Sequence, residues 1–375
     1  MKIMTILGTR PEIIRLSEII KKLDNFANNI LVHTGQNYDK NLRNVFFKDL
    51  NLRYPDIQLE CKSKNIQAQI AKIIQETGNI MDEEKPEAVL ILGDTNSGLS
   101  AIAAKRKKIP IFHLEAGDRS FDNNVPEELN RKLIDHTCDV NLAYTEHSRR
   151  NLINEGIHPK SIFVVGSPIK EVYNKIDTKI KKSIILRRLN LKLKKYFIAS
   201  LHREENVDKK ENLVEVVKTF NSIVDKYKLP IIVSTHPRTI DSLKKFNILK
   251  ISNNLINWHS PFGLIDYIKL QKESFCVISD SGTIHEDSAV LQFPAVAIRK
   301  STEKYESLES GHCPITGLNS SNVLNMINVV TKNFSNLQTS PIPDAYNQTN
   351  VSNKVINIIL GMRDIVNFDT WGENN

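Results

Sequence analysis

Ala88-Val89-Leu90-Ile91-Leu92-Gly93-Asp94-Thr95 is the stretch on which the fold turns: five apolar residues without polar alternation, closed by a glycine, an acid and a hydroxyl. So short an apolar run reads as a strand buried on both faces, as in a parallel sheet covered by helices. Residues 3–7, 30–33, 111–114, 140–144 and 162–165 repeat the pattern, with longer helical patterns between them. Each run ends in residues that turn, cap or react: Gly8-Thr9-Arg10, Thr34-Gly35-Gln36, Glu115-Ala116-Gly117, Thr145-Glu146-His147 and Gly166-Ser167-Pro168. Repeated β-α units predict an α/β fold with parallel sheets, whose ligands bind beyond the carboxyl ends of the strands.

A second strand series, 197–201, 231–234, 276–280 and 295–298, follows a polar, lysine-rich stretch between Ser167 and Tyr196. That break predicts two domains: residues 1–171 as a first α/β domain and 172–350 as a second. The helical pattern of residues 351–375 would pack back on the first. The lysine clusters in the break, Lys179, Lys181 and Lys182, then Lys192, Lys194 and Lys195, have no aromatic residues interleaved and read as solvated surface.

With 375 residues the chain has room for two or three domains, and 40% hydrophobic against 25% charged residues excludes wholesale disorder and rod-like folds. A net charge of +8 suits anionic ligands without demanding nucleic acid, and no nucleic-acid partner is expected. Cys61, Cys138, Cys276 and Cys313 stand far apart, so neither a zinc site nor a disulfide framework is expected. The apolar runs fall well short of the roughly 20 residues that cross a bilayer, and no signal-peptide pattern opens the chain. The expectation is a soluble cytoplasmic protein with no membrane insertion.

Asp94 and Glu115 follow neighbouring strand patterns and should emerge on one sheet edge, with Glu127-Glu128 close by after Pro126. Any one of these carboxylates could simply stabilise a helix start, but acids at two strand ends with a third nearby point to general acid/base chemistry. Arg10 and Arg15 lie at the first strand-to-helix turn, where backbone N–H groups also favour anions; the alternative for each is a surface salt bridge. In the second series, His202-Arg203 and His236-Pro237-Arg238 each follow a strand, which suggests a diphosphate held between the domains. Asp280-Ser281-Gly282-Thr283 with Glu286-Asp287 could hold phosphate on N–H groups and ribose hydroxyls on a carboxylate one turn later. It lacks the lysine of a P-loop and the full dinucleotide fingerprint.

Together these segments resemble the non-hydrolysing bacterial UDP-N-acetylglucosamine 2-epimerase family over nearly the whole chain. The resemblance rests on Gly8-Thr9-Arg10-Pro11-Glu12, His33-Thr34-Gly35-Gln36, Gly93-Asp94-Thr95, Glu115-Ala116-Gly117, Pro126-Glu127-Glu128 with Asn130-Arg131, His202-Arg203-Glu204-Glu205-Asn206, Asp280-Ser281-Gly282 and Ser301-Thr302-Glu303. It implies two Rossmann-like domains of the GT-B type, an active site in the interdomain cleft and a homodimer. The activity implied is inversion at C2 of a UDP-N-acetylhexosamine, by elimination of UDP to a 2-acetamidoglycal and re-addition on the other face. Breaking the C1–O bond builds positive charge at C1 and acidifies C2, so groups that hold UDP promote proton removal, and inversion needs proton transfer on both faces. By resemblance Asp94, Glu115, Glu127 and His202 are catalytic, and Arg10, Arg15, Arg131, Arg203, His236, Ser281, Gly282, Glu286 and Asp287 bind substrate. No cofactor or metal is called for.

The sequence also departs from the family pattern. Arg15 stands where lysine is common, and Thr302-Glu303-Lys304-Tyr305-Glu306 replaces the usual Thr-Glu-Arg-Pro-Glu. Glu286-Asp287 replaces a Glu-Glu pair, and Asp39 stands where regulated members appear to carry glutamine. The short Phe121–Glu128 loop, Gly35-Gln36-Asn37-Tyr38-Asp39 and His202-Arg203-Glu204-Glu205-Asn206 look more similar to the branch that forms UDP-N-acetyl-L-fucosamine. The competing expectations are a GT-B glycosyltransferase, which would need a sugar acceptor, and a UDP-sugar-binding regulator without turnover.

Overall fold

Seven parallel strands form the first sheet: β1 (Lys2–Leu7), β2 (Asn28–His33), β3 (Ile57–Gln58), β4 (Ala88–Leu92), β5 (Ile111–Leu114), β6 (Val140–Ala143) and β7 (Ile162–Val164). Their order is β3-β2-β1-β4-β5-β6-β7. The computed structural model describes residues 1–36, 40–63, 65–334 and 341–372. Asn37, Tyr38 and Asp39, with the regulatory and branch readings attached to them, lie outside the described residues. Every residue of β4 is buried, as its uninterrupted apolar run requires of a strand covered on both faces. The strand order reverses between β1 and β4, which puts Gly8-Thr9-Arg10 and Gly93-Asp94-Thr95 at the crevice where such sheets take their ligands.

The second sheet has five parallel strands, β8 (Phe197–Leu201), β9 (Ile231–Thr235), β10 (Ile256–His259), β11 (Cys276–Ser279) and β12 (Ala295–Ala297), in the order β10-β9-β8-β11-β12. Its reversal lies between β8 and β11, beside His202-Arg203 and Asp280-Ser281-Gly282. β3 and β10 have no counterpart in the strand series read from the sequence. β3 is two residues long, and β10 is an edge strand whose Ile256-Asn257-Trp258-His259 carries one buried residue.

The helix Arg10–Phe26 illustrates the local logic. Thr9 is its extended N-cap, Pro11 supplies a preset φ, and Glu12 closes a capping box on the N-cap backbone. Its buried stripe, Ile13, Leu16, Ile19, Ile20 and Leu23, recurs at three- and four-residue spacing. Each such side chain contributes about 2 kcal/mol by leaving water. The helix Val351–Val366 packs on this one and buries Val355, Ile356 and Ile359.

The chain divides into two units, Met1–Lys175 with Asp344–Asn375, and Ile176–Pro343. Among the described residues no helix is long and apolar enough to cross a membrane.

Candidate active site

In the first unit, the turns after β1, β4 and β5 lie side by side. Asp94 is partly exposed, and its Oδ2 accepts from Arg131 Nε at 2.9 Å and Nη2 at 2.6 Å. The third guanidinium nitrogen donates to Glu128 Oε2 at 2.8 Å. Arg131, expected to bind substrate, is thus engaged by two carboxylates and is buried. A buried guanidinium between two acids has its charge balanced within the fold.

Glu128 also accepts from the Ser120 N–H and hydroxyl, each at 3.0 Å, and from the Phe121 N–H at 3.2 Å. Burial would raise its pKa, but the Ser120 N–H and the Arg131 guanidinium outweigh that and hold the carboxyl below its ordinary range. Its neighbour Glu127 stands exposed in the first turn of the helix Pro126–Thr137. The adjacent acids therefore differ in kind: Glu128 anchors the loop, whereas Glu127 faces solvent.

Glu115 adopts a left-handed backbone, φ 67°, which is unusual for a residue with a side chain and is found at functional turns. Its Oε2 lies 3.7 Å from Arg15 Nε, with both side chains largely buried. A Cβ placed on Gly93 would sit 3.6 Å from that same Oε2, so the Glu115 carboxylate lies against the turn that carries Asp94.

A buried network holds this arrangement. His113 on β5 places Nε2 2.8 Å from the Gly93 carbonyl oxygen and Nδ1 2.8 Å from Asp135 Oδ1. Asp135 also receives Arg119 at 2.7 Å and the Gly117 N–H at 3.2 Å. Burial opposes ionisation of Asp135, yet His113 and Arg119 bring its pKa below the ordinary value. The turns around Asp94 and Glu115 are thereby joined through one acid.

Glu12 does the same between β1 and β4. Its Oε2 accepts from the N–H groups of Gly8 at 3.0 Å and Thr9 at 2.7 Å, and its Oε1 from the Thr95 hydroxyl at 2.9 Å. Burial, only partly offset by these bonds, pushes its carboxyl up to about 7. The expectation that N–H groups of this first turn receive an anion is corrected for Gly8 and Thr9, because an internal carboxylate occupies them. Arg10 reaches over the ring of Phe46 at 5.9 Å.

In the second unit, fully buried Asp280 accepts from the N–H groups of His202 and Arg203, both at 3.1 Å, and from Asn206 Nδ2 at 3.0 Å. His202 Nδ1 lies 3.2 Å from Asp280, while its side chain is 43% exposed. Burial works against the Asp280 carboxylate, but His202 and the surrounding donors keep its pKa low. A fixed anion thus orients an accessible imidazole.

In the turn expected to hold phosphate, the Ser281 N–H donates to Ser279 Oγ at 3.0 Å and the Thr283 N–H to Ser281 Oγ at 3.3 Å. A Cβ on Gly282 would lie 2.3 Å from Glu303 Oε1, which explains the glycine. Arg203 approaches Glu303 at 4.0 Å, and Arg299 pairs with it at 2.6 Å. Glu286, expected to take ribose hydroxyls, is fully buried with Lys304 at 2.9 Å, and Asp287 is nearly as buried. His236 uses Nδ1 to accept the Arg238 N–H at 3.3 Å and so caps the helix Pro237–Lys245, a structural role its strand-end position did not reveal.

Residues 21–360 match the family model described as UDP-N-acetylglucosamine 2-epimerase. The chain belongs to this epimerase family. It is 37% identical to the UDP-N-acetylglucosamine 2-epimerase of Methanococcus maripaludis over 366 residues, 96% of this chain and 98% of the relative. Its structure is similar to that of the Rickettsia bellii UDP-N-acetylglucosamine 2-epimerase, with 43% identity, a TM-score of 0.93 and full coverage of both chains. It is also similar to the Methanocaldococcus jannaschii UDP-GlcNAc 2-epimerase in complex with UDP-GlcNAc and UDP, with 34% identity, a TM-score of 0.90, and coverage of 96% of this chain and all of that one. These matches bear out the two-sheet α/β fold of the GT-B type.

The epimerase-family site also contains residues that the strand-end reading passed over. Glu12 carries a readable signal, the Thr-x-x-Glu capping box with Thr9, but a capping box predicts a helix start and not a bond to Thr95. Nothing in the sequence pairs His113 with Asp135, which lie on different elements. Lys304, one of the family departures, turns out to be buried against Glu286.

Proposed function

We propose that this epimerase-family chain interconverts a UDP-N-acetylhexosamine with its C2 epimer by way of a 2-acetamidoglycal. The C1–O bond breaks with its electron pair leaving on the UDP phosphate, a carboxylate takes the C2 proton, and a C1–C2 double bond forms. Re-addition of UDP with proton delivery to the opposite face of C2 reverses the step. The observation that carries the reading is Asp94 and Glu115 brought to adjacent turns, each beside an arginine, Arg131 and Arg15. A carboxylate in such a turn is the group that accepts a proton in general base catalysis. Glu127, exposed in the next helix, is the third acid. In the second unit, His202, oriented by Asp280, and Arg203 present an imidazole and a guanidinium suited to a diphosphate.

The sugar is read by the loop around Phe121, whose side chain is 64% exposed. An open aromatic ring there suits a methyl group at C5, which supports a 6-deoxy-L-sugar of the UDP-N-acetyl-L-fucosamine type as the second reading. The deciding experiment incubates enzyme with UDP-GlcNAc in deuterated water without any acceptor. Deuterium at C2 of both epimers is expected. Its absence, with transfer to an added sugar acceptor, would replace the epimerase by a glycosyltransferase.

A further inference from the structure

Asp94 must be held in place, and Arg131 fixes only its carboxylate. We propose that Glu12 is a positioning residue for the reaction, holding the turn that carries Asp94 in register with the turn that carries Arg10 through its bonds to Thr95, Gly8 and Thr9. The inference rests on the epimerase reading and deepens it.

The geometry gives Glu12 two separate tasks. Oε2 takes the N–H groups of Gly8 and Thr9, the residues immediately before Arg10, and Oε1 takes the hydroxyl of Thr95, the residue immediately after Asp94. These turns leave β1 and β4, neighbours in the sheet on either side of the strand-order reversal. A capping box alone needs only the first task, so the bond across to Thr95 is additional to helix formation. Glu12 is 1% exposed, so water does not compete for these bonds. Thr95 in turn accepts the Ser97 N–H at 3.2 Å and caps the short helix Asn96–Ser100. The chain Glu12–Thr95–Ser97 therefore fixes the backbone on the far side of Asp94 from the Gly93 carbonyl, which His113 fixes.

The test uses Glu12→Gln, Thr95→Val, their double variant and Thr95→Ser in the full chain. Glutamine serves a capping box as well as glutamate and carries no buried charge, so Glu12→Gln folds; above about pH 7 it replaces the bond from Thr95 to an ionised carboxylate by a weaker neutral one, so turnover and exchange are compared on the alkaline side of that value. Misplacement of a reacting group by about 1 Å can cost about 10²-fold in rate. We expect Glu12→Gln and Thr95→Val each to lower kcat on UDP-GlcNAc at least about tenfold with KM within about threefold, a split that simple loss of folded protein would not mimic. The double variant should be no slower than the slower single variant, because both remove one link. Thr95→Ser should restore kcat.

Hydrogen exchange in the peptide spanning residues 92–97 gives a readout independent of activity, and it should quicken in both single variants. Unchanged exchange and kcat in Glu12→Gln overturn the proposal, and so does a loss confined to Thr95→Val, which would trace to the Ser97 cap. Additive losses in the double variant overturn it as well. Should the wild-type chain leave UDP-GlcNAc unepimerised, the epimerase reading fails on that substrate, while exchange in the variants still decides whether Glu12 fixes the turn.

Discussion

Replacing Glu12 by Gln should make the protein more stable at alkaline pH and change the way its stability depends on pH. Burial raises the Glu12 pKa from 4.5 to about 7 in the folded chain. A rise of that size corresponds to about 3 kcal/mol of folding free energy. The folded state holds the Glu12 proton more tightly than the unfolded state, so this contribution is fully present below pH 4.5 and is lost as pH rises through about 7. Glutamine mimics the protonated form at every pH. Urea unfolding of wild type and Glu12→Gln should therefore give similar stabilities near pH 4.5, with the variant gaining steadily to about 3 kcal/mol above pH 8. Glu128, Asp135 and Asp280 have lowered pKa values and contribute in the opposite sense, losing stability as pH falls, but they are common to both proteins and cancel in the difference. A difference that stays constant across this range would refute the buried, proton-binding Glu12.

Asp94→Asn, Glu115→Gln and Glu127→Gln should each lower turnover by at least about 10²-fold, while calorimetry still detects UDP binding; near-normal turnover in all three would reject the assignment. Gly117→Ala should destabilise the chain by more than about 2 kcal/mol in thermal or urea unfolding, because it adds a strained left-handed residue to a clash. Gly117 has φ 83°, and the new Cβ would lie 2.3 Å from the Ser148 carbonyl oxygen. Comparison of kcat/KM for UDP-GlcNAc and UDP-N-acetyl-L-fucosamine tests the sugar: a clear preference for the 6-deoxy sugar is expected if Phe121 reads C5, and preference for UDP-GlcNAc removes that role while leaving the chemistry in place.

The legible part of this chain is the part governed by short-range rules. β4 could be read because five apolar residues in a row leave a strand no exposed face, and the turn after it because Gly93, Asp94 and Thr95 follow at once. β10 escaped because it is a four-residue edge strand: Ile256 and Trp258 alternate with Asn257 and His259, but only Ile256 is fully buried and the run is too short to stand out. At the site, the residue types were visible but their commitments were not. Glu127 and Glu128 are identical in chemistry and adjacent in sequence, and only the fold shows that Glu128 is held by Ser120, Phe121 and Arg131 while Glu127 is exposed. Arg131, Glu286 and His236 stand at the turns and helix starts where binding groups are expected, and only the fold shows their acid pair, buried lysine and helix cap. In each case the missing information is a partner distant in sequence or a local bond to the backbone. A charged group in a strand-end turn can meet substrate or satisfy the protein, and burial decides between the two because a buried charge must be paired within the fold. Among the acids of the first unit, that criterion separates Asp94, Glu115 and Glu127, which retain exposure, from Glu12, Glu128 and Asp135, which hold the turns that carry them.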